Sequence, residues 1–285
     1  MGISKGPMSA SLSCHPRPVI VSMLRAAGCV FAEDEARLLI SAARTPADLA
    51  AMVDRRVAGL PLEHVLGWAE FYGLRIAVDP GVFVPRRRTE SLVRQVVALA
   101  SPAVSQAGVR PRLVVVDLCC GSGAVGAALV AALDRVELHA VDIDPAAVRC
   151  ARRNLVPAGG QVYVGDLYEP LPAALRGRVD VVVANAPYVP TGAIRLLPQE
   201  ARIHEPWVAL DGGADGVDVQ RRVAAAAPLW LAPGGYLLVE TSKRQSPQTV
   251  DTFARNGLRP QVASSDELNA TVVIGTRLTV QTTSR

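Results

Sequence analysis

Two hydrophobic rhythms run along this chain, and the change from one to the other organises it. In the N-terminal region, residues 18–66, apolar positions recur at helical spacing. Behind Thr45, the residues Leu49, Met52, Val53, Val57 and Leu60 fall on one face. Thr45-Pro46-Ala47-Asp48 supplies the start of that helix: a hydroxyl at the N-cap, a proline at the first position and an acid at the third. AEDEARLLISAA, residues 32–43, is a second amphipathic segment. The period then shortens. FYGLRIAVDPGVFVP, residues 71–85, places Asp79-Pro80-Gly81 between two β-like runs and predicts a hairpin that turns there. Thr89-Glu90 opens another helix, with Leu92, Val93, Val96 and Val97 on one side.

From residue 112 strands and helices alternate. RLVVVDL is a continuous apolar run, as in a strand buried on both faces. The predicted strands VELHAVDI, QVYVGDL, VDVVVAN and GGYLLVE follow, interleaved with the helical segments GSGAVGAALVAAL, AAVRCARRN and QRRVAAAAPLWL. LRPQVASSDELNATVVIGTRL adds two more strands. This order predicts an α/β fold: a doubly wound, mostly parallel sheet with a small helical domain before it. The expected divisions are a loose tail over 1–17, a helical domain over 18–84 that ends in the hairpin, and the sheet domain over 85–285.

Composition changes this picture little. Half of the 285 residues are apolar and the net charge is +4, a mildly basic balance that alone identifies no partner. The five cysteines are odd in number and form no CxxC pair, which points to a reducing cytoplasm over a disulfide framework or a zinc site. The N-terminus has no long apolar core and reads as no signal peptide, and no run approaches a membrane span.

The chemistry begins where the first buried strand ends, at Asp117-Leu118-Cys119-Cys120-Gly121-Ser122-Gly123-Ala124-Val125-Gly126. Glycines at a strand-to-helix turn let a ligand approach the backbone. Asp142 then ends the second strand, where a carboxylate can accept both hydroxyls of a ribose, although it also reads as a solvated acid. The spacing Gly121-x-Gly123-x-x-Gly126 formally matches a dinucleotide fingerprint. Asp117 argues against that ligand, because a carboxylate at this strand end would repel a pyrophosphate. S-adenosylmethionine carries no phosphate, and its ammonium and sulfonium would be attracted. Asp166, after the third strand, stands where a carboxylate could accept an adenine amine, or is a plain loop acid. Cys119-Cys120 read as two small side chains in a tight turn, not a redox pair.

VVANAPYVP, residues 182–190, ends the fourth strand in an amide, a proline and an aromatic ring. An amide or aromatic amine is a poor nucleophile because its lone pair is delocalised. Two acceptors aimed at its two N–H groups would hold it and favour the electron-rich, pyramidal form. The Asn185 side-chain carbonyl and the Ala186 backbone carbonyl can be those acceptors. Pro187 restricts residue 186, and Tyr188 offers a flat face to a planar group. An Asn-Pro turn beside a packed Tyr is the plainer reading.

Taken together, D-L-x-x-G-S-G and the later N-A-P-Y resemble the HemK-like glutamine N5-methyltransferases, whose loop is N-P-P-Y. PLEHVLGWAEFYG (61–73) and VFVPRRRTESLV (82–93) are similar to that family's domain junction, EPWVALDGGADGVDVQRR (205–222) to the segment after its active-site loop, and LLVETSKRQ (237–245) to its late strand. The resemblance implies a Rossmann-like class I methyltransferase fold and a helical N-terminal domain that recognises the substrate. It implies S-adenosylmethionine over Asp117, Cys119, Cys120, Gly121, Ser122 and Gly123, with Asp142 on the ribose and Asp166, Leu167 and Asn185 beside the cofactor. It implies that Asn185, Ala186, Pro187 and Tyr188 bind the glutamine of a Gly-Gly-Gln motif in a peptide chain release factor, with Asn185, Pro187 and Tyr188 catalytic. The expected protein is a cytoplasmic monomer without a membrane partner or stable nucleic-acid binding. Ala186 replaces the family's first proline, Cys119-Cys120 its Gly-Thr, and Ser242 a common glycine.

A methyltransferase acting on adenine or guanine of RNA or DNA would use the same loop, but no basic stripe with interleaved aromatics appears. A binding module that has lost its activity is the third reading. Arg86 and Glu90 match the family's junction and are supporting candidates, while the run Arg86-Arg87-Arg88 itself reads as a solvated face. Glu205 lies in a loop that could border the pocket. His15, His64 and His139 have no ligand spacing, so no metal is expected. Trp68 and Phe71 read as packing groups.

Overall fold

The computed structural model describes residues 16–100 and 112–279; most of the tail expected at 1–17, with Cys14 and His15, lies outside them. The chain divides into two compact units between Leu66 and Gly67. In the first, α1 (Arg17–Ala26), α2 (Ala32–Ala42), α3 (Pro46–Val57) and α4 (Leu62–Leu66) enclose Ile20, Leu24, Ala36, Leu39, Met52 and Val53. The predicted cap is present: the Thr45 hydroxyl accepts from the Asp48 amide at 3.1 Å, and Asp48 accepts from the Arg44 amide at 2.9 Å. One buried ion pair, Arg56 Nε to Glu35 Oε2 at 2.6 Å, ties α3 to α2.

The second unit opens with a hairpin of β1 (Trp68–Phe71) and β2 (Leu74–Ala77). Its turn is Tyr72-Gly73, not the Asp79-Pro80-Gly81 that the sequence favoured. Both turn residues have positive φ, 51° and 73°, as a two-residue hairpin turn matching strand twist demands. The Asp-Pro-Gly signal instead makes a separate turn, closed by Val82 N to Asp79 O at 3.1 Å. The hairpin also belongs to the sheet unit, which corrects the boundary expected at residue 84. The reason is packing: Phe71 and Ile76 are buried with Leu92, Val96, Ala128 and Leu129 of the sheet domain.

The main sheet contains β3 (Leu113–Leu118), β4 (Val136–Asp142), β5 (Gln161–Val164), β6 (Val179–Ala184), β7 (Leu231–Thr241), β8 (Leu258–Ser265) and β9 (Ala270–Arg277). Their spatial order is β5-β4-β3-β6-β7-β9-β8, parallel except that β9 runs against β7 and β8. Every second residue serves one face. Val115, Val181 and Val183 face α5 (Glu90–Ala100), α6 (Ala124–Ala132) and α7 (Pro145–Leu155). Val114, Val116, Val182 and Ala184 face α9 (Asp218–Trp230) and α10 (Ser246–Arg255), which follow the short α8 (Gln199–His204) in the chain. Burial on both faces explains why these strands read as unbroken apolar runs. The sequence reading missed α10, whose few apolar residues, Val250 and Phe253, leave a short periodic signal. No helix among the described residues is long and apolar enough to cross a membrane. The strand order reverses between β3 and β6, so a crevice opens beyond the ends of these two strands.

Candidate functional site

A cavity of about 690 Å³ occupies that crevice, within the range of sites for small organic ligands. Its walls come from the turns after β3, β4, β5 and β6, from residues 83–89, and from the 197–210 segment.

The turn after β3 is held by carboxylates. Gly121 N donates to Asp142 Oδ2 at 2.8 Å, and Asp142 Oδ1 accepts from Asp144 N at 2.9 Å. Gly126 N donates to Asp117 Oδ2 at 3.0 Å. A pyrophosphate bound here would need such turn amides, and acids already occupy these two; the dinucleotide reading fails on this geometry. Burial raises both carboxyls, Asp117 to about 7, with the Gly126 bond opposing that rise and the Asp142 charge adding to it. Asp142 rises through burial against the pull of its backbone donors. A cavity lined by two desolvated acids suits a ligand bearing positive charge and hydroxyl donors.

The glycines divide their labour. Gly121 has φ 56° and open space around it, so it serves the turn's conformation. Gly123 has φ 80°, does not line the cavity, and would press a Cβ onto Leu155 at 2.9 Å, so its place is helix-to-helix packing. A Cβ on Gly126 would meet Leu138 at 2.9 Å. Cys119 takes φ 56°, a left-handed conformation that costs a residue with a side chain roughly 1–2 kcal/mol. Burial pushes the thiols of Cys119 and Cys120 upward, which makes both inert as nucleophiles. After β5, Asp166 accepts from Arg222 at 2.6 Å, and Leu167 has φ 49°; both line the cavity.

On the β6 side, Asn185, Ala186, Pro187 and Tyr188 reach the same cavity. Asn185 Nδ2 donates to Thr89 Oγ1 at 3.4 Å, which leaves its Oδ1 as the free acceptor. Tyr188 is held on two sides: its hydroxyl donates to Glu240 Oε1 at 3.3 Å, and Arg88 lies 5.8 Å from its ring centre. The main chain of this loop is pinned from behind. Val189 N donates to Leu210 O at 3.0 Å, Gly212 N to Val189 O at 2.9 Å, and Gln245 Nε2 to Tyr188 O at 2.9 Å. A Cβ on Gly212 would come within 2.8 Å of Pro187 O, and one on Gly216 within 2.4 Å of Tyr188 O.

All the expected site residues except Gly123 therefore line one cavity. Arg87 and Arg88 are exposed, as a solvated face requires, yet the run is also paired: Arg86 bonds Glu205, and Arg88 Nε lies 3.3 Å from Glu240. Glu205 does border the cavity, and its Oε1 also accepts from Val84 N at 3.3 Å. Glu90 lies away from the cavity lining; it accepts from Tyr72 N at 3.1 Å and supports the hairpin turn. Phe71 both fills the core and touches the cavity. Sequence reasoning missed Thr89, Arg222 and Glu240. Nothing local marks the first two as site residues, and Glu240 joins them only once β7 lies beside β6.

Comparison with known proteins follows the same lines. A family model described as "Methyltransferase small domain" matches residues 98–213. A release factor glutamine methyltransferase of Geobacter sulfurreducens is 36% identical over 238 residues, covering 82% of this chain and 80% of the relative. A 4-amino-L-phenylalanine/4-methylamino-L-phenylalanine methyltransferase of Streptomyces pristinaespiralis is 35% identical, covering 76% and 73%. Among solved structures, a methyltransferase from Pyrococcus furiosus shares the fold with a TM-score of 0.51 at 14% identity, over 82% of this chain and 100% of that one.

Proposed function

The chain belongs to the release factor glutamine methyltransferase family, and from that footing we propose that it methylates the side-chain nitrogen of a glutamine in a peptide chain release factor. The observation that carries the reading is the placement of Asn185 Oδ1, with its Nδ2 engaged by Thr89, in one cavity with the acid-braced turn after β3.

The methyl donor is S-adenosylmethionine, which supplies an electrophilic methyl group when bound. Gly121, Cys119, Cys120 and Ser122 border its side of the cavity, Asp142 takes the ribose hydroxyls, and Asp117 offers a counter-charge to the ammonium. Asp166 and Leu167 wall the adenine end. Asn185 Oδ1 and the Ala186 carbonyl accept from the two N–H groups of the target amide. They hold its plane against Tyr188 and stabilise the nitrogen as its lone pair localises. The proline missing at 186 removes one restriction on Asn185; Thr89 and the main-chain bonds to Leu210 and Gly212 supply restriction in its place. The helical first unit recognises the protein substrate. A cytoplasmic location fits the cysteine usage and the absence of a membrane-crossing helix among the described residues.

Incubation of a purified release factor with the protein and S-adenosylmethionine, followed by peptide mass spectrometry, should show one added methyl on the Gln of Gly-Gly-Gln. The Streptomyces relative favours a second substrate class, a free aromatic amine, whose nitrogen lone pair is likewise delocalised, though less than an amide's. Labelled methyl recovered only on 4-aminophenylalanine would select that class, and label on RNA or DNA that resists protease would select a nucleobase.

A further inference from the structure

The turn after β7 reads Ser242-Lys243-Arg244-Gln245, the spacing of a helix-start box. In the ordinary box the first hydroxyl accepts from the main-chain N–H of the fourth residue, and the fourth side chain reaches back to the N–H of the first. Half of that pattern is present. Gln245 N donates to Ser242 Oγ at 3.2 Å, and Gln245 O accepts from Thr249 N at 3.1 Å as α10 begins. The Gln245 side chain goes elsewhere. Its Oε1 accepts from the Ser242 hydroxyl at 2.5 Å, and its Nε2 donates to Tyr188 O at 2.9 Å and to Asp215 O at 3.0 Å. Gln245 is 7% exposed, and neither it nor Ser242 lines the cavity. A Cβ on Gly216 would lie 2.3 Å from Gln245 Nε2, so only a residue without a side chain lets that strip approach the amide.

We infer that Gln245 is a positioning residue for the proposed methyl transfer: through the Tyr188 carbonyl it fixes the bend that grips the target amide, and Ser242 fixes which way the Gln245 amide points. This role presupposes the reading that residues 185–188 hold the target nitrogen. A peptide unit is planar, so anchoring its C=O and its N–H together fixes its rotation. The unit between Tyr188 and Val189 is anchored in that way: Tyr188 O receives Gln245, and Val189 N donates to Leu210 O at 3.0 Å. With that plane set, so is the direction in which the Tyr188 ring leaves the chain. The Gln245 amide is itself held in one sense. Both of its N–H groups meet carbonyls, which only accept, and its oxygen meets a hydroxyl, which donates. Turned over, its oxygen would oppose two buried carbonyls and leave all three acceptors without a donor. Glutamate at 245 keeps the shape of the side chain and removes both donors.

Three variants test the role. Gln245→Glu should lower kcat on the release factor about tenfold or more, the scale of a small misplacement of groups that align a reaction. Ser242→Ala should lower it about threefold or more, because the buried Oε1 loses its donor. Ser242→Thr, which keeps the hydroxyl, should restore most of the rate. Affinity for S-adenosylhomocysteine, measured by calorimetry, should stay near the wild-type value in all three, because Gly121 and Asp142 are untouched. A second readout needs no substrate. Protein labelled with 13C at the tyrosine carbonyls gives five resonances, with that of Tyr188 identified by its loss in Tyr188→Phe. That resonance should move upfield in Gln245→Glu and Ser242→Ala, as a carbonyl does on losing a donor, and stay in place in Ser242→Thr. Unchanged kcat in Gln245→Glu, equal losses in Ser242→Ala and Ser242→Thr, or a Tyr188 carbonyl indifferent to residue 245 would each overturn the inference. So would a fall in cofactor-product affinity that parallels the fall in kcat, since Gln245 would then support the whole site and not the bend. Should the wild type methylate no release factor, the functional reading falls, and the carbonyl resonance still decides whether Gln245 and Ser242 hold the bend.

Discussion

Asp117 is the residue where stability and ligand binding pull in opposite directions. It is 1% exposed, its carboxyl is raised from 3.8 to about 7 chiefly by burial, and its Oδ2 receives a single backbone bond at 3.0 Å. Between these two values the folded chain keeps the proton that the unfolded chain has lost, so stability falls as pH rises through that window, and the penalty is complete above about 7. Roughly three pH units at about 1.4 kcal/mol each put the full penalty near 4 kcal/mol. Asparagine keeps an oxygen for the Gly126 amide and carries no charge. Asp117→Asn should therefore stabilise the ligand-free protein more at about pH 8.5 than at about pH 5, by roughly 2–3 kcal/mol, because only the part of the window above pH 5 separates the two conditions. Urea unfolding at the two pH values measures this difference. The same substitution should weaken S-adenosylhomocysteine binding about tenfold or more at the higher pH by calorimetry, since the ligand's ammonium loses its counter-charge. An equal stability change at both pH values would mean that a buried charge is not what distinguishes the two residues.

Asp142→Ala should weaken cofactor binding by roughly 2–3 kcal/mol, the scale of hydrogen bonds to a charged group, and calorimetry showing unchanged affinity would remove it from the site. Asn185→Ala should lower kcat by about two orders of magnitude while the circular dichroism spectrum and cofactor affinity persist; near-normal turnover would discard the acceptor role. Cys119→Gly should raise stability by about 0.5–1 kcal/mol in thermal unfolding, because glycine tolerates the φ of 56° that cysteine adopts at a cost. A clear loss of stability would mean that packing of the Cys119 side chain outweighs its backbone strain.

The legible parts of this molecule were those whose signal is local. Continuous apolar runs marked β3 and β6, Thr45 marked a helix start, and Asn185-Ala186-Pro187-Tyr188 stood out as a strand end too polar and too aromatic for a plain turn. What escaped depended on residues that meet only after folding. Glu240 and Tyr188, joined through the Tyr188 hydroxyl, are 52 positions apart and carry no periodicity to join them. The hairpin was misplaced because Asp79-Pro80-Gly81 is the stronger written turn, while Tyr72 adopts a positive φ that its side chain does not advertise and that Glu90 holds from outside. The pairing of Arg86 and Arg88 was not legible because the carboxylates that receive them, Glu205 and Glu240, lie far along the chain.

The pinning of residues 187–189 by Leu210, Gly212, Gly216 and Gln245 has a practical corollary. The loop's shape is imposed by its surroundings more than written in its own six letters. Transplanting those letters into another scaffold would move the side chains and leave their mould behind. A protein engineer seeking this amide-gripping bend would have to carry the distant glycine-bearing strip along with it.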